Sequence, residues 1–102
     1  MRLMKKGWMN NLLELKRTTQ FKKDLKRAIR RGLPINDLDA VIIKLRKQET
    51  LEPKHFDHAL TGNFKGFREC HIMPDWLLMY KTEKKKLILT VFRTGSHSDL
   101  LE

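Results

Sequence analysis

All four histidines of this chain lie between positions 55 and 97, in a stretch that reads H-F-D-H, then G-N-F-K-G-F-R-E-C-H-I-M-P-D-W, then F-R-T-G-S-H. Histidine is the one side chain whose unperturbed pKa lets it give or take a proton near neutrality. Each of these candidate proton carriers has a lysine or arginine within a few residues that could hold a phosphate. Together they suit acid-base chemistry. Competing chemistries are poorly supported. Cys70 and His71 are neighbours on an expected strand and point apart, and no C-x-x-C or H-x-x-x-H pair accompanies them, so no metal site is expected. G-N-F-K-G lacks the G-K-[ST] end of a nucleotide-binding phosphate loop, and no Ser or Cys has the setting of a nucleophile.

The 102 residues allow one domain with one modest core. No apolar run reaches the roughly 18 residues of a membrane helix. Residues Met1 to Asn11 lack the continuous apolar region and cleavage site of a secretory signal, and the single cysteine, Cys70, fits a reducing compartment, so a cytoplasmic protein is expected. The net charge of +10 is uneven: residues Met1 to Arg31 hold eleven Lys or Arg against two acids, the remainder eleven against ten. That field suits a polyanionic partner, since phosphate neutralisation releases counterions; a solvated helix face is the plainer reading.

The elements that must position the histidines follow from periodicity. Leu12 to Arg17 is short and partly alternating, as in a strand. From Gln20 to Arg31, Phe21, Leu25, Ala28 and Ile29 recur at helical spacing, with Thr18 or Thr19 as cap and Gly32 beyond the end. The outer face of this helix carries Lys22, Lys23, Lys26, Arg27, Arg30 and Arg31. A second helix follows Pro34 and runs to about Gln48, with Asn36 and Asp39 resembling a capping box. Glu49 to Lys65 has no sustained period and reads as a long loop. Phe67 to Ile72, Trp76 to Lys81 and Lys86 to Thr94 read as an antiparallel meander, and Ser96 to Leu101 as a short helical turn capped by Ser96.

The segments K-R-T-T-Q-F-K-K-D-L-K-R, D-H-A-L-T-G-N-F-K-G-F-R-E-C-H-I-M-P-D-W-L-L-M-Y and F-R-T-G-S-H-S-D-L resemble the YafQ branch of the RelE superfamily, in the same order from about Leu12 to Leu101. The resemblance implies an α+β, RelE-like fold of β-α-α-β-β-β order: an antiparallel sheet packed by two N-terminal helices, with a short C-terminal helical turn. It implies a toxin of a type II toxin-antitoxin system, a ribosome-dependent endoribonuclease that cuts mRNA without a metal or other cofactor and is held inactive by a cognate antitoxin. Residues 12–102 would form the toxin domain and 1–11 an extension, with Met9 where a relative might begin and Met4 and Trp8 able to pack on the sheet.

Carried over residue by residue, the resemblance implies catalytic roles for His58, His71, Asp75, Arg93 and His97. In-line attack of a ribose 2′-OH needs a base, an acid for the departing 5′-oxygen, and a cation for the phosphorus centre. His97 is the expected acid, His58 or His71 the base, Arg93 a two-armed phosphate clamp and Asp75 an orienting group, although acid and base could be exchanged. Lys22, Lys23, Lys26, Arg27, Arg30 and Arg31 would hold RNA or the ribosome. Glu69 shares strand parity with His71 and, with Trp76, joins the residues expected near RNA; Trp76 also alternates with Leu78 and Tyr80, as core residues do. His55 has no match in the resemblance and reads as a loop residue, and His71 alone could be a core histidine. Leu100-Leu101 replaces the aromatic common in this branch after the last histidine, which leaves codon preference unassigned. A non-catalytic module that binds RNA, the ribosome or an antitoxin is the alternative, and an antitoxin is expected to lay an acidic or amphipathic segment over Arg93 and the histidines.

Overall fold

A computed structural model describes residues 12–101, so the expected N-terminal extension, with Met4, Trp8 and Met9, lies outside the described residues. In chain order the elements are β1 (Glu14–Arg17), α1 (Thr19–Arg30), α2 (Ile35–Arg46), β2 (His58–Ala59), β3 (Arg68–Met73), β4 (Trp76–Glu83), β5 (Ile88–Gly95) and α3 (His97–Leu101). The five strands form one sheet in the order β1-β5-β4-β3-β2. The α+β class and the meander β3-β4-β5 are as expected, but the sheet is mixed rather than antiparallel: β1 runs parallel to β5, with Glu14 opposite Ile88 and Arg17 opposite Val91. Local periodicity carries no signal for a pairing between segments so far apart.

The Thr18 hydroxyl caps α1, accepting from the Phe21 N–H at 2.9 Å and donating to the Phe92 carbonyl at 2.8 Å. Gly32, at φ 74°, ends the helix: its N–H bonds to the Ile29 carbonyl and that of Leu33 to Ala28, satisfying the last carbonyls. The expected capping box at Asn36 does not form. Pro34, at φ −74°, sets the entry to α2 directly, so the helix begins at Ile35 with no side-chain cap and Asn36 is already inside it. The expected loop from Glu49 to Lys65 contains β2 and two 3₁₀ turns, Pro53–His55 and Gly62–Phe64, pieces too short to show a period.

One sheet face meets both helices. Phe21, Ala28, Leu38, Val41, Ile42 and Leu45 pack there against Cys70, Ile72, Trp76, Leu78, Tyr80, Leu89 and Val91. Trp76 is 2% exposed, so the expectation that it meets RNA is corrected: burial of its ring on the helix-facing parity removes it from any message. Residues of opposite parity, Glu69, His71, Leu77 and Met79, occupy the other face. In β5 a bulge intervenes, since Met79 pairs with Arg93 but Tyr80 with Val91. The extra residue, Phe92, brings Phe92 and Arg93 together on that second face.

β1 accompanies β5 only as far as Val91. Beyond that point side chains from α1 replace a strand: the Thr18 hydroxyl takes up the Phe92 carbonyl and the Asp24 carboxylate accepts from the Thr94 N–H at 3.1 Å. β5 then turns through Gly95 into α3. A Cβ on Gly95 would fall 2.8 Å from the Asp99 Cβ, inside any tolerable contact. Gly95→Ala is therefore expected to push α3, and His97 with it, away from the sheet and cost about 1–3 kcal/mol, measurable as a lower urea midpoint.

Candidate active site

His97 opens α3, and its position is set from two sides. The tight turn between β3 and β4 presents Asp75, whose Oδ1 accepts from the His97 backbone N–H at 3.0 Å and from Nδ1 of the ring at 2.6 Å. Those backbone and ring donors hold the Asp75 carboxyl below its ordinary range. With Nδ1 spent on Asp75, Nε2 is the nitrogen left for a substrate. On its other side, Ser96 and Asp99 cap the short helix reciprocally: the Ser96 N–H donates to Asp99 Oδ2 at 2.9 Å and the Asp99 N–H to the Ser96 hydroxyl at 3.1 Å. The expected Ser96 cap is present.

The His71 ring, on the second face of β3, lies edge-on to His97 with centroids 5.5 Å apart. The Phe56 ring is tilted against it with centroids 5.7 Å apart. His55 is more than a surface residue: its Nδ1 donates to the His71 carbonyl at 2.6 Å and pins the preceding turn to β3. His58 lies on β2 opposite Glu69 of β3. Its Nδ1 donates to the Phe56 carbonyl at 2.6 Å, and its Nε2 stands 3.6 Å from Glu69 Oε1. A carbonyl can only accept, so both His55 and His58 carry a proton on Nδ1. His71, His97 and Asp75 thus meet at one place, with His58 of β2 and Glu69 of β3 forming a second pair.

Arg93 is less available than a two-armed clamp requires. Its Nε lies 2.8 Å from Asp24 Oδ2 and one terminal nitrogen 3.3 Å from Oδ1, so one edge of the guanidinium is already occupied. The other terminal nitrogen, Nη1, is the arm that Asp24 does not engage. Asp24 is 1% exposed, and it also accepts from Thr94 N–H and Gln20 Nε2. Burial by itself raises its pKa, but the bonds from Arg93, Gln20 and Thr94 outweigh that and leave it lowered. Sequence reasoning passed over Asp24, yet one signal was available: it is the only acid in α1 and falls in phase with Phe21 and Ala28.

The six basic residues of the first helix also divide. Lys22, Lys23, Lys26 and Arg30 are exposed, whereas Arg27 and Arg31 reach Asp99 at 3.0 and 2.8 Å. Arg31, together with the Ser96 N–H and hydroxyl, holds the Asp99 carboxyl far below its usual range. The end of α1 is thereby fastened to the helix that begins with His97. A third carboxylate, Asp57, accepts from Tyr80 Oη at 2.6 Å and Arg68 Nε at 3.2 Å, anchoring the loop between Phe56 and His58.

Among the described residues no group of three His, Cys, Asp or Glu is gathered closely enough to hold a metal ion. Cys70 is buried, and burial pushes its thiol up to about 12, far from a reactive thiolate. No helix among the described residues is long and apolar enough to cross a membrane.

Comparison with known proteins gives three findings of similar import. Residues 13–102 match the family described as the bacterial toxin of type II toxin-antitoxin system, YafQ. The mRNA interferase toxin YafQ of Escherichia coli K12 is 38% identical over 82 residues, covering 79% of this chain and 87% of that one. Among solved structures, a copper-bound single-substitution mutant of a toxin from Helicobacter pylori superposes with a TM-score of 0.83 at 43% identity, covering 87% of this chain and 99% of that one. YafQ from the E. coli DinJ-YafQ toxin-antitoxin complex superposes with a TM-score of 0.81 at 34% identity, covering 89% and 99%.

The lowered Asp24 and Asp99 carboxyls predict a direction for acid sensitivity. A depressed pKa in the folded state contributes stability that is present above the unfolded value, near 4, and is lost as pH falls through the folded one. Unfolding midpoints are expected to hold steady near neutrality and fall progressively below about pH 4. Asp24→Asn, which leaves Arg93 facing a neutral amide, should cost about 3 kcal/mol at pH 7 and flatten that acid decline in urea titrations.

Proposed function

Because the chain belongs to the YafQ family of toxins from bacterial type II toxin-antitoxin systems, we propose that it is an mRNA endoribonuclease that arrests translation by cutting message on the ribosome. The observation that carries this reading is the His97 ring held by Asp75 at 2.6 Å with the His71 ring 5.5 Å away. Two proton carriers meet at one exposed place, and one has its tautomer set.

In the proposed reaction a base, His71 or His58, removes the proton of a ribose 2′-OH. The 2′-oxygen attacks the adjacent phosphorus, the P–O5′ bond breaks, and His97 protonates the departing 5′-oxygen, leaving a 2′,3′-cyclic phosphate and a 5′-hydroxyl. Asp75 takes the Nδ1 proton and thereby aims Nε2 of His97 at the leaving group. Arg93 contributes charge to the phosphorus centre through Nη1, with Asp24 fixing its guanidinium in place. If His58 serves as base, Nε2 takes the proton, since Nδ1–H is given to the Phe56 carbonyl, and Glu69, 3.6 Å from Nε2, stabilises the imidazolium that forms. Every proton and charge has a side chain assigned, so the reading needs no metal or cofactor.

Lys22, Lys23, Lys26 and Arg30 form the free part of the basic face and suit the phosphates of message or ribosomal RNA. The toxin domain is residues 12–102, with 1–11 as an extension, and the working compartment is the cytoplasm. A cognate antitoxin would lay an acidic or amphipathic segment over Arg93 and the histidines, in keeping with the DinJ-YafQ assembly of the E. coli relative.

His97→Ala should slow cleavage of a ribosome-bound message by about 10²- to 10⁴-fold without loss of stability. A 2′-deoxy sugar at the cut should block the reaction, and a chelator should leave it intact; cutting of the deoxy substrate would sink 2′-OH attack. Reversing the charges of Lys22, Lys26 and Arg30 should instead weaken RNA binding and reduce its salt dependence, by roughly one unit of log-log slope for each phosphate that is no longer neutralised. If charge reversal abolishes growth arrest while His97→Ala leaves it untouched, the chain is a binding module rather than a nuclease.

A further inference from the structure

The sheet face that carries His71 and Arg93 continues into a tier of aromatic rings that the chemistry above does not use. Phe67, just before β3, meets Phe92 edge-on with centroids 4.5 Å apart and lies 6.4 Å from Phe64. The Lys81 ammonium stands 5.8 Å from the centre of the Phe67 ring. The three rings, with Met79 and the Arg93 guanidinium, line an open cavity of about 380 Å³. None of the three belongs to the main core, which lies on the helix-facing side.

Phe64 is 48% exposed, a poor place for a phenyl ring that serves packing alone. It rides on a short turn between Gly62 and Gly66, whose φ values of 63° and 98° are open to glycine and poorly open to other residues. The chain thus holds an apolar ring out beside its partners. The cavity has flat aromatic walls, one arginine at its edge and a lysine over a wall, with no carboxylate among its lining residues. That combination matches a planar ring attached to an anionic backbone better than it matches an aliphatic or acidic peptide, because stacking takes the ring while the cations take the phosphate.

We propose that Phe64, Phe67 and Phe92 form a stacking subsite for one nucleobase of single-stranded RNA, with Lys81 and Arg93 holding the phosphate beside it. The proposal rests on the ribonuclease reading and adds to it. Phe67, at the entry to β3, is four residues from His71, about 13 Å along extended chain, so the stacked base belongs to a nucleotide flanking the cut rather than to the one attacked. Stacking accepts any base, which makes the subsite a grip on the strand first and a source of mild base preference second.

The test uses a single-stranded oligoribonucleotide that carries 2′-O-methyl groups throughout, so that it cannot be cut, with one 2-aminopurine as fluorescent base. Wild type should quench the 2-aminopurine, Phe64→Trp should retain affinity, and Phe64→Ala should bind about five- to hundredfold more weakly. On a ribosome-bound message, Phe64→Ala should raise KM with kcat nearly unchanged, and its urea midpoint should match wild type. Absence of quenching by wild type, or equal oligonucleotide affinity for Phe64→Ala and wild type, overturns the subsite. So does a Phe64→Ala variant that loses affinity only for the co-expressed antitoxin, which assigns the surface to that protein. Failure of wild type to cut any message defeats the nuclease reading separately, since the fluorescence arm needs no cleavage.

Discussion

The buried Asp24 carboxylate is the interaction on which the rest of the arrangement depends. A carboxylate that loses its water must recover nearly all of its hydrogen bonds inside the protein or it destabilises the fold by several kcal/mol. Asp24 recovers them from four donors: the Arg93 guanidinium, the Thr94 amide, the Gln20 side chain and, at 3.4 Å, Arg27. Those bonds join α1 to the part of β5 that β1 no longer accompanies. The strand edge is thereby satisfied, Arg93 is fixed on the second sheet face, and Gly95 is delivered to the point where α3 can begin. Asp99 repeats the device one turn later, using Arg27 and Arg31 of the same helix. His97 sits between these two anchors.

Two tasks of the basic helix are consequently separable. Two of its cations, Arg27 and Arg31, are held by Asp99 and serve the architecture, while Lys22, Lys23, Lys26 and Arg30 are exposed to solvent. A count of positive residues therefore overstates the field available to a polyanion. Ion pairs that are partly exposed contribute little individually, but here they form a network with capping bonds, and their effect is to orient an element rather than merely to add stability.

Much of the architecture was legible in the sequence. Thr18 and Gly32 marked the ends of α1 because capping chemistry is local, and the meander announced itself through aromatic and β-branched runs broken by M-P-D and T-E-K-K. The grouping of His71, Asp75 and His97 was legible only through family resemblance, since their meeting depends on a strand turn and a helix start that are distant in sequence. What escaped was non-local or counter to type: the parallel pairing of β1 with β5, the bulge at Phe92, and above all Asp24, an acid placed on an apolar stripe. Trp76 erred in the other direction. Expected near RNA although it alternates with Leu78 and Tyr80, it follows that strand parity into the core.

The parallel pairing of β1 with β5 has a consequence for the time at which the protein comes into being. Synthesis begins at the amino end, so β1 emerges early and waits without its neighbour until Ile88 to Val91 have left the ribosome. The contacts that seat Asp24, Arg93 and α3 join the still later Arg93, Thr94 and Asp99 to the early helix and its end. A nascent chain thus stays incomplete through most of its translation, and acquires an assembled His71–His97 pair only at the close. For a chain of this toxin family, the ordering means that the two histidines come together only when almost the whole polypeptide exists.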